Sequence, residues 1–403
     1  MWRLGFFLHE MAFGLLSIFV PLYVVSNAVG GSLVDVGLMV SLATFLAIPF
    51  SYFWGYACDK AGHYKPFILL SFSALSILLY LFSSTTNIAM LIAIYALVAV
   101  FHVAHDTPKN VLIAEWHSRE EWEKSFASYE LLTELGALIG LVLGFSMSLY
   151  GLSGSLILLI CSALNIIAFV FSAVLVVDPP IIFERGLAGM ERTLSYAQRG
   201  ITLMLRRAED QPLTERLRGE NAPAYFLGLI LFSLASGTFF TPLPVFFSQP
   251  PIALASSVVF AIFTLNTAGG AFGYYYVRGR TQEDLGGEKH VVTRIALFRS
   301  LLVLGMIIAV VSVSAFTTAL AVIMLVLMGF AYAVFLINTL SISMEVMSQG
   351  KAGLFNVLIG IGSAAGCLIG PLIANTYGFL FVFLAASAIF LLSFLAFRIF
   401  ASS

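Results

Sequence analysis

Three short sets of ionisable residues interrupt an otherwise apolar chain. His9 and Glu10 stand near the N-terminus, His102, His105, Asp106 and Lys109 follow near residue 100, and Glu130 and Glu134 come next. Spacings of three, four and seven put the second set on one face of a helix, and Glu130 and Glu134 on one face of another. Three kinds of chemistry suit these residues. Acids and bases can neutralise one another, with Lys109 against Asp106 or Glu130 and His105 beside them. A carboxylate in apolar surroundings favours its neutral form and can take up a proton near neutral pH. Glu10, Asp106 and Glu134 are the candidates for that role, with His102 as a relay. Nitrogen and oxygen ligands from His9, Glu10, His102, His105 and Asp106 would also suit a transition metal. The same helical spacing suits core histidines, so no resident metal is assigned.

The elements that carry these residues must lie in a membrane. The chain has 403 residues, 60% hydrophobic and only 10% charged, against about 25% charged in soluble domains. A span needs roughly 20 apolar residues. Twelve such runs are predicted, at 5–28, 33–57, 66–83, 87–115, 126–149, 154–177, 223–247, 252–277, 293–314, 317–341, 352–376 and 378–400. They are continuous rather than alternating, so helices are expected, because backbone groups in lipid must pair within their own segment. The first run, with Arg3 ahead of it and His9 and Glu10 within it, is read as a retained helix rather than a cleaved signal. Cys58, Cys161 and Cys367 are odd in number and lack metal spacing, so neither a disulfide framework nor a zinc site is expected.

The loops after spans 1, 3, 5, 7, 9 and 11 are short and contain no Lys or Arg. All 20 basic residues are therefore assigned to the other side or to within about a turn of it, which predicts both termini in the cytoplasm of a multi-pass cell-membrane protein. One loop is long. It divides the chain into an N-terminal six-helix bundle (1–177), a linker (178–222) and a C-terminal six-helix bundle (223–403). Arg185, Arg192, Arg199 and Arg206 recur every seven residues in the linker, with apolar residues between them, which suits an amphipathic helix on the membrane face.

The halves echo each other. Gly136, Gly140 and Gly144 in span 5 reappear as Gly362, Gly366 and Gly370 in span 11, followed by Pro371. Glycines four residues apart let helices approach closely, so packing is their main expected role. Related halves fit a carrier whose site lies between the repeats near the midplane. The second half is expected to be nearly uncharged within its spans. Asn266, Asn338, Thr339, Ser341 and Glu345 are its main polar groups, and Phe239, Phe240, Phe246, Phe247, Tyr274 and Phe335 supply an aromatic wall.

The turn between spans 2 and 3, Gly55 to Pro66, carries the most specific pattern. Gly55, Asp59, Lys60, Gly62, Lys65 and Pro66 match a motif of the major facilitator superfamily, with departures at His63 and Tyr64. Over essentially its whole length the chain resembles that family. The resemblance implies twelve transmembrane helices in two pseudo-symmetric six-helix bundles, an all-α membrane fold, and alternating access. It also implies that Asp59 helps latch the halves, an acid at a helix N-terminus being favoured by up to about 1 kcal/mol. Gly136, Gly140 and Gly144 resemble the family's antiporter motif, with Leu141 and Phe145 replacing its proline and last glycine. Near Ala96, where proton-coupled drug exporters of the family carry an arginine, there is none, so that proton relay is not carried over.

The expected function is secondary transport, as proton-coupled efflux of small hydrophobic or amphipathic compounds. Proton-coupled or facilitative uptake of a metabolite and divalent-metal transport are the alternatives. The expected partners are a small-molecule substrate, protons and the bilayer; the chain is expected to be monomeric, without nucleic acid or cofactor. With no phosphate-binding loop and no nucleophile motif, neither an enzyme nor an ATP-driven pump is expected.

Overall fold

The computed structural model describes residues 2–116, 122–178, 221–250, 252–278, 285–346 and 352–402. The predicted linker helix lies outside them, as do the side chains of Asp59 and Glu345. Among the described residues the fold is entirely helical. Twelve spans are long and apolar enough to cross a bilayer: Leu4–Val24, Leu33–Cys58, Lys65–Ser83, Ile88–Asn110, Ser128–Leu149, Gly154–Leu175, Ala222–Ser248, Ser256–Val277, Gly287–Val311, Ala315–Ser343, Leu354–Tyr377 and Phe379–Ala401. They are numbered 1 to 12 below.

Local chemistry sets the ends and breaks. Span 2 starts at a capping box in which Ser32 and Asp35 satisfy each other's backbone N–H. It stops at Gly62, whose φ of 64° is the left-handed conformation that glycine adopts without a Cβ penalty. Span 4 is not one regular helix. The helix Ile88–His102 tightens into a 3₁₀ turn at Val103–His105 before the helix Asp106–Trp116 begins. Pro108 explains the break, since it lacks the N–H that would bond Ala104 and its ring crowds that carbonyl. The single helical face expected for His102 through Lys109 is therefore interrupted. Span 7 breaks likewise into Ala222–Phe240 and Leu243–Ser248, around Pro242.

Two glycine ridges build the halves. A Cβ on Gly140 would strike the Met11 backbone of span 1, and one on Gly366 would strike the Leu234 carbonyl of span 7. Gly136 faces Phe7 and Gly362 faces Ile230 in the same way. The third pair differs, because Gly370 faces Thr238 of span 7 while Gly144 abuts the Phe260 ring of span 8. Pro371 packs on Gly37, where spans 2 and 11 meet across the two halves. Spans 5 and 8 form the other seam.

The halves also pack on each other at the face away from the termini. There Phe19, Val20 and Tyr23 of span 1 share one apolar cluster with Leu243, Phe246 and Phe247 of span 7. Nearer the termini the N-terminal half has its own separate cluster, built on Phe6, Phe72, Ile113, Tyr129 and Val176.

Candidate functional site

The depth of the site follows from the first glycine ridge. With no side chain at Gly136, span 5 approaches until a Cβ there would lie 2.7 Å from the Phe7 carbonyl and 3.2 Å from Glu10 Cβ. This seats His9 and Glu10 between spans 4, 5 and 6. His9 is fully buried.

A hydrogen-bonded chain then fixes the histidines. Asn165 of span 6 donates through Nδ2 to the Cys161 carbonyl at 2.9 Å, which orients its amide. Its Oδ1 accepts from His9 Nδ1 at 2.8 Å. That places the His9 proton on Nδ1 and leaves Nε2 as an acceptor, 3.1 Å from His102 Nδ1. His102 therefore donates from Nδ1 and keeps Nε2 free to accept. His105 Nδ1 lies 3.1 Å from Ser71 Oγ, and its Nε2 is 3.8 Å from Asp106 Oδ1. Aromatic faces hold the rings, with His9 on Phe72 and His102 on Phe13 at centroid distances of 4.8 and 4.2 Å. The 3₁₀ turn brings His102 and His105 edge to face at 5.0 Å, as expected where side chains three apart eclipse. Ring nitrogens of His9, His102 and His105 lie within 4.8 Å of one another. The His9–His102 hydrogen bond occupies one nitrogen of each of those two rings.

The charged groups gather beside it. Lys109 Nζ bonds Asp106 Oδ1 at 3.0 Å and lies 5.3 Å over the Tyr129 ring. The charged neighbours of Glu10 are Lys109 and Asp106 of span 4 and Glu130 and Glu134 of span 5. Lys109 thus faces three of these carboxyl groups, Glu10, Asp106 and Glu130. Unpaired charge within a membrane is expensive, and here the carboxyl groups outnumber the base beside them. Glu134 reaches the seam between the halves, its Oε1 2.9 Å from where a Gly270 Cβ would be. Among the sequence candidates, Asn338 stays outside the cluster and donates to Val334 of its own helix at 2.7 Å.

The turn between spans 2 and 3 is tied down by a residue that the sequence did not single out. Asp178, just beyond span 6, accepts from the Tyr64 and Lys65 backbone N–H groups at 3.1 and 2.9 Å and pairs with His63 at 3.5 Å. It caps the N-terminus of span 3, where a carboxylate is favoured. Lys60 is exposed, 6.0 Å over the Tyr56 ring.

Two expectations for the second half are corrected. Phe239, Phe246, Phe247 and Phe335 are fully buried in its packed core, because the aromatics pack mainly on one another instead of facing an opening. Nor is the half uncharged, and not every base lies near the terminal face. Arg299 sits at the centre of span 9 with no exposed surface. Lys289 and Arg294 precede it on the same helix, so in sequence it reads as the tail of a terminal-face basic run.

The comparisons with known proteins agree with this architecture. Residues 4–354 match the model of the family described as Major Facilitator Superfamily. A comparison with curated protein sequences returned no match. Among solved structures, the fold is similar to that of the nucleoside transporter NupG (TM-score 0.70, 14% identity, covering 98% of this chain and 97% of that one). It is also similar to a POT family transporter in complex with 5-aminolevulinic acid (TM-score 0.73, 12% identity, 100% and 95% covered). A third likeness is to the human organic anion transporter MFSD10 (TM-score 0.64, 20% identity, 98% and 97% covered).

Proposed function

Because the chain belongs to the Major Facilitator Superfamily, we propose that it works by alternating access and exports small hydrophobic or amphipathic compounds in exchange for protons. The observation that carries this reading is the excess of carboxyl groups beside the Asn165–His9–His102 chain, with Glu134 on the seam to span 8. Closing that seam presses Glu134 and its neighbours against the apolar second half. A charged carboxylate there carries a desolvation penalty of several kcal/mol per ion, whereas a neutral one does not. Proton uptake by Glu10 or Glu134 therefore permits the swing, and release on the other face resets it. His102 Nε2 offers an acceptor at the end of the chain through which the proton passes. Asp59 acts as the latch of the terminal face, and the distribution of Lys and Arg puts that face in the cytoplasm. The relatives of similar fold carry nucleosides, a 5-aminolevulinic acid ligand and organic anions, so the fold leaves the substrate open.

The test is exchange in vesicles of purified protein with an imposed pH gradient, following internal pH while lipophilic cations, organic acids and sugars are added. Glu10→Gln and Glu134→Gln should each abolish proton-linked exchange while sparing exchange of substrate for substrate. Unchanged pH dependence in both variants would overturn the reading.

A further inference from the structure

Arg299 takes no part in the hydrogen-bonded chain of the first half, yet it is a fully buried charged side chain. It stands 12 residues from either end of Gly287–Val311, about 18 Å from Gly287 along the helix Leu285–Gly305 at 1.5 Å per residue. Its guanidinium carbon lies 5.0 Å from the ring centres of Phe232 and Phe390, and 5.5 Å from those of Phe240 and Tyr332. Such cation–π contacts offset part of the cost of burying the charge, but they satisfy none of the guanidinium's N–H donors. Nη1 donates to Ser236 Oγ at 3.2 Å. Nε and Nη2 are buried without a partner, and among the described residues no carboxylate pairs with the group.

The two unused donors share one edge of the guanidinium. That edge presents parallel N–H groups with the spacing of a carboxylate's two oxygens, the arrangement in which arginine binds anions most strongly. Tyr332 is 40% exposed and the least buried of the four rings. Its hydroxyl feels the charges of Arg299 and of Glu130 and Glu134 of span 5, which places this ring on the side of the box nearer the first half. The depth excludes a lipid headgroup held at the membrane surface, since half the hydrocarbon thickness is about 15 Å.

We propose that Arg299 is the anion-binding residue of the substrate site. Its Nε–Nη2 edge takes the carboxylate of an amphipathic organic anion, whose apolar body lies along Phe240 and Tyr332. This deepens the exchanger reading and rests on it, because it names the chemical class that the second half recognises.

The probes are 2-naphthoate and 2-naphthamide, which share a ring system and differ in charge, added to full-length protein in phosphatidylcholine vesicles. Naphthoate should raise Tm saturably and naphthamide should not. Arg299→Lys, which keeps the charge but loses the fork, should weaken naphthoate binding at least about tenfold, and Arg299→Gln should abolish it. Ser236→Ala leaves the binding edge intact and should still respond. If Arg299→Gln does not fold, Arg299→Lys and the ligand pair decide the matter. Wild-type affinity in Arg299→Lys, equal stabilisation by the amide, or competition by added phosphatidylglycerol would overturn the proposal. So would a Glu134→Gln change that cures Arg299→Gln without ligand, which would make Arg299 a counter-charge. Proton counterflow with lipophilic cations but never with naphthoate would remove the anion site and leave proton exchange standing. Naphthoate exchange that persists in Glu10→Gln and Glu134→Gln would do the reverse.

Discussion

The two halves share one skeleton and fill it with opposite chemistry. Their registers align at the glycine ridges, with Gly136 on Phe7 and Gly362 on Ile230. They align again at two reciprocal serine pairs, Ser76 with Ser162 at 3.0 Å and Ser300 with Ser387 at 3.1 Å. Two residues beyond Phe7 stands His9, and two beyond Ile230 stands Phe232. Three residues beyond Ser162 stands Asn165, and three beyond Ser387 stands Phe390. The places that hold the imidazole–amide hydrogen bond in the first half are thus the two rings that flank Arg299 in the second. Glu10 corresponds to Ser233 in this register. At these corresponding places one half carries an imidazole and an amide joined by a hydrogen bond, whereas the other carries aromatic rings around a buried guanidinium. Packing thus uses the repeat symmetrically, and chemistry does not.

The symmetric part should break first and equally. Gly140→Leu and Gly366→Leu each drive a side chain into backbone, and overpacking costs about 1–3 kcal/mol or more. Both variants should lose folded, monodisperse protein by size-exclusion chromatography, and tolerance in one half alone would show that the ridges are not equivalent. Next in size is the functional asymmetry. Glu10→Gln should remove proton-linked exchange, while Ser233→Ala at the corresponding place should leave it; equal losses would erase the distinction between the halves. Smaller again is the effect on stability of the polar link. Asn165→Leu strands the buried His9 Nδ1–H and should cost about 1–3 kcal/mol, against less than about 1.5 kcal/mol for the apolar swap Phe390→Leu. Thermal unfolding compares the two directly. The smallest effect belongs to the serine pairs, where Ser76→Ala and Ser300→Ala should each cost about 0.6 kcal/mol and match within error.

Much of this was legible in sequence because it depends on pattern. Continuous apolar runs force helices, and the spacing of Gly136, Gly140 and Gly144 announces close approach whatever the neighbour is. His9, Glu10, His102, Asp106 and Glu134 stood out because ionisable groups are rare in such runs. Asn165 and Ser71 did not, since a lone amide or hydroxyl in an apolar helix has no periodic signature and its partner lies on another span. Asp178 read as the first residue of a linker, because its role as a cap depends on span 6 ending beside span 3. Arg299 was assigned to the terminal face by its neighbours in sequence, although helix geometry places it at mid-depth.

The amino-acid sequence by itself determined the solvent, the number of spans and the twofold repeat, since each follows from local hydrophobicity and its recurrence. Only the tertiary structure decided which polar groups meet. The His9–Asn165 bond joins residues 156 positions apart, and four aromatic rings from three different spans converge on Arg299. Such pairings are set by how helices pack in three dimensions, and the spacing along any one helix does not encode them.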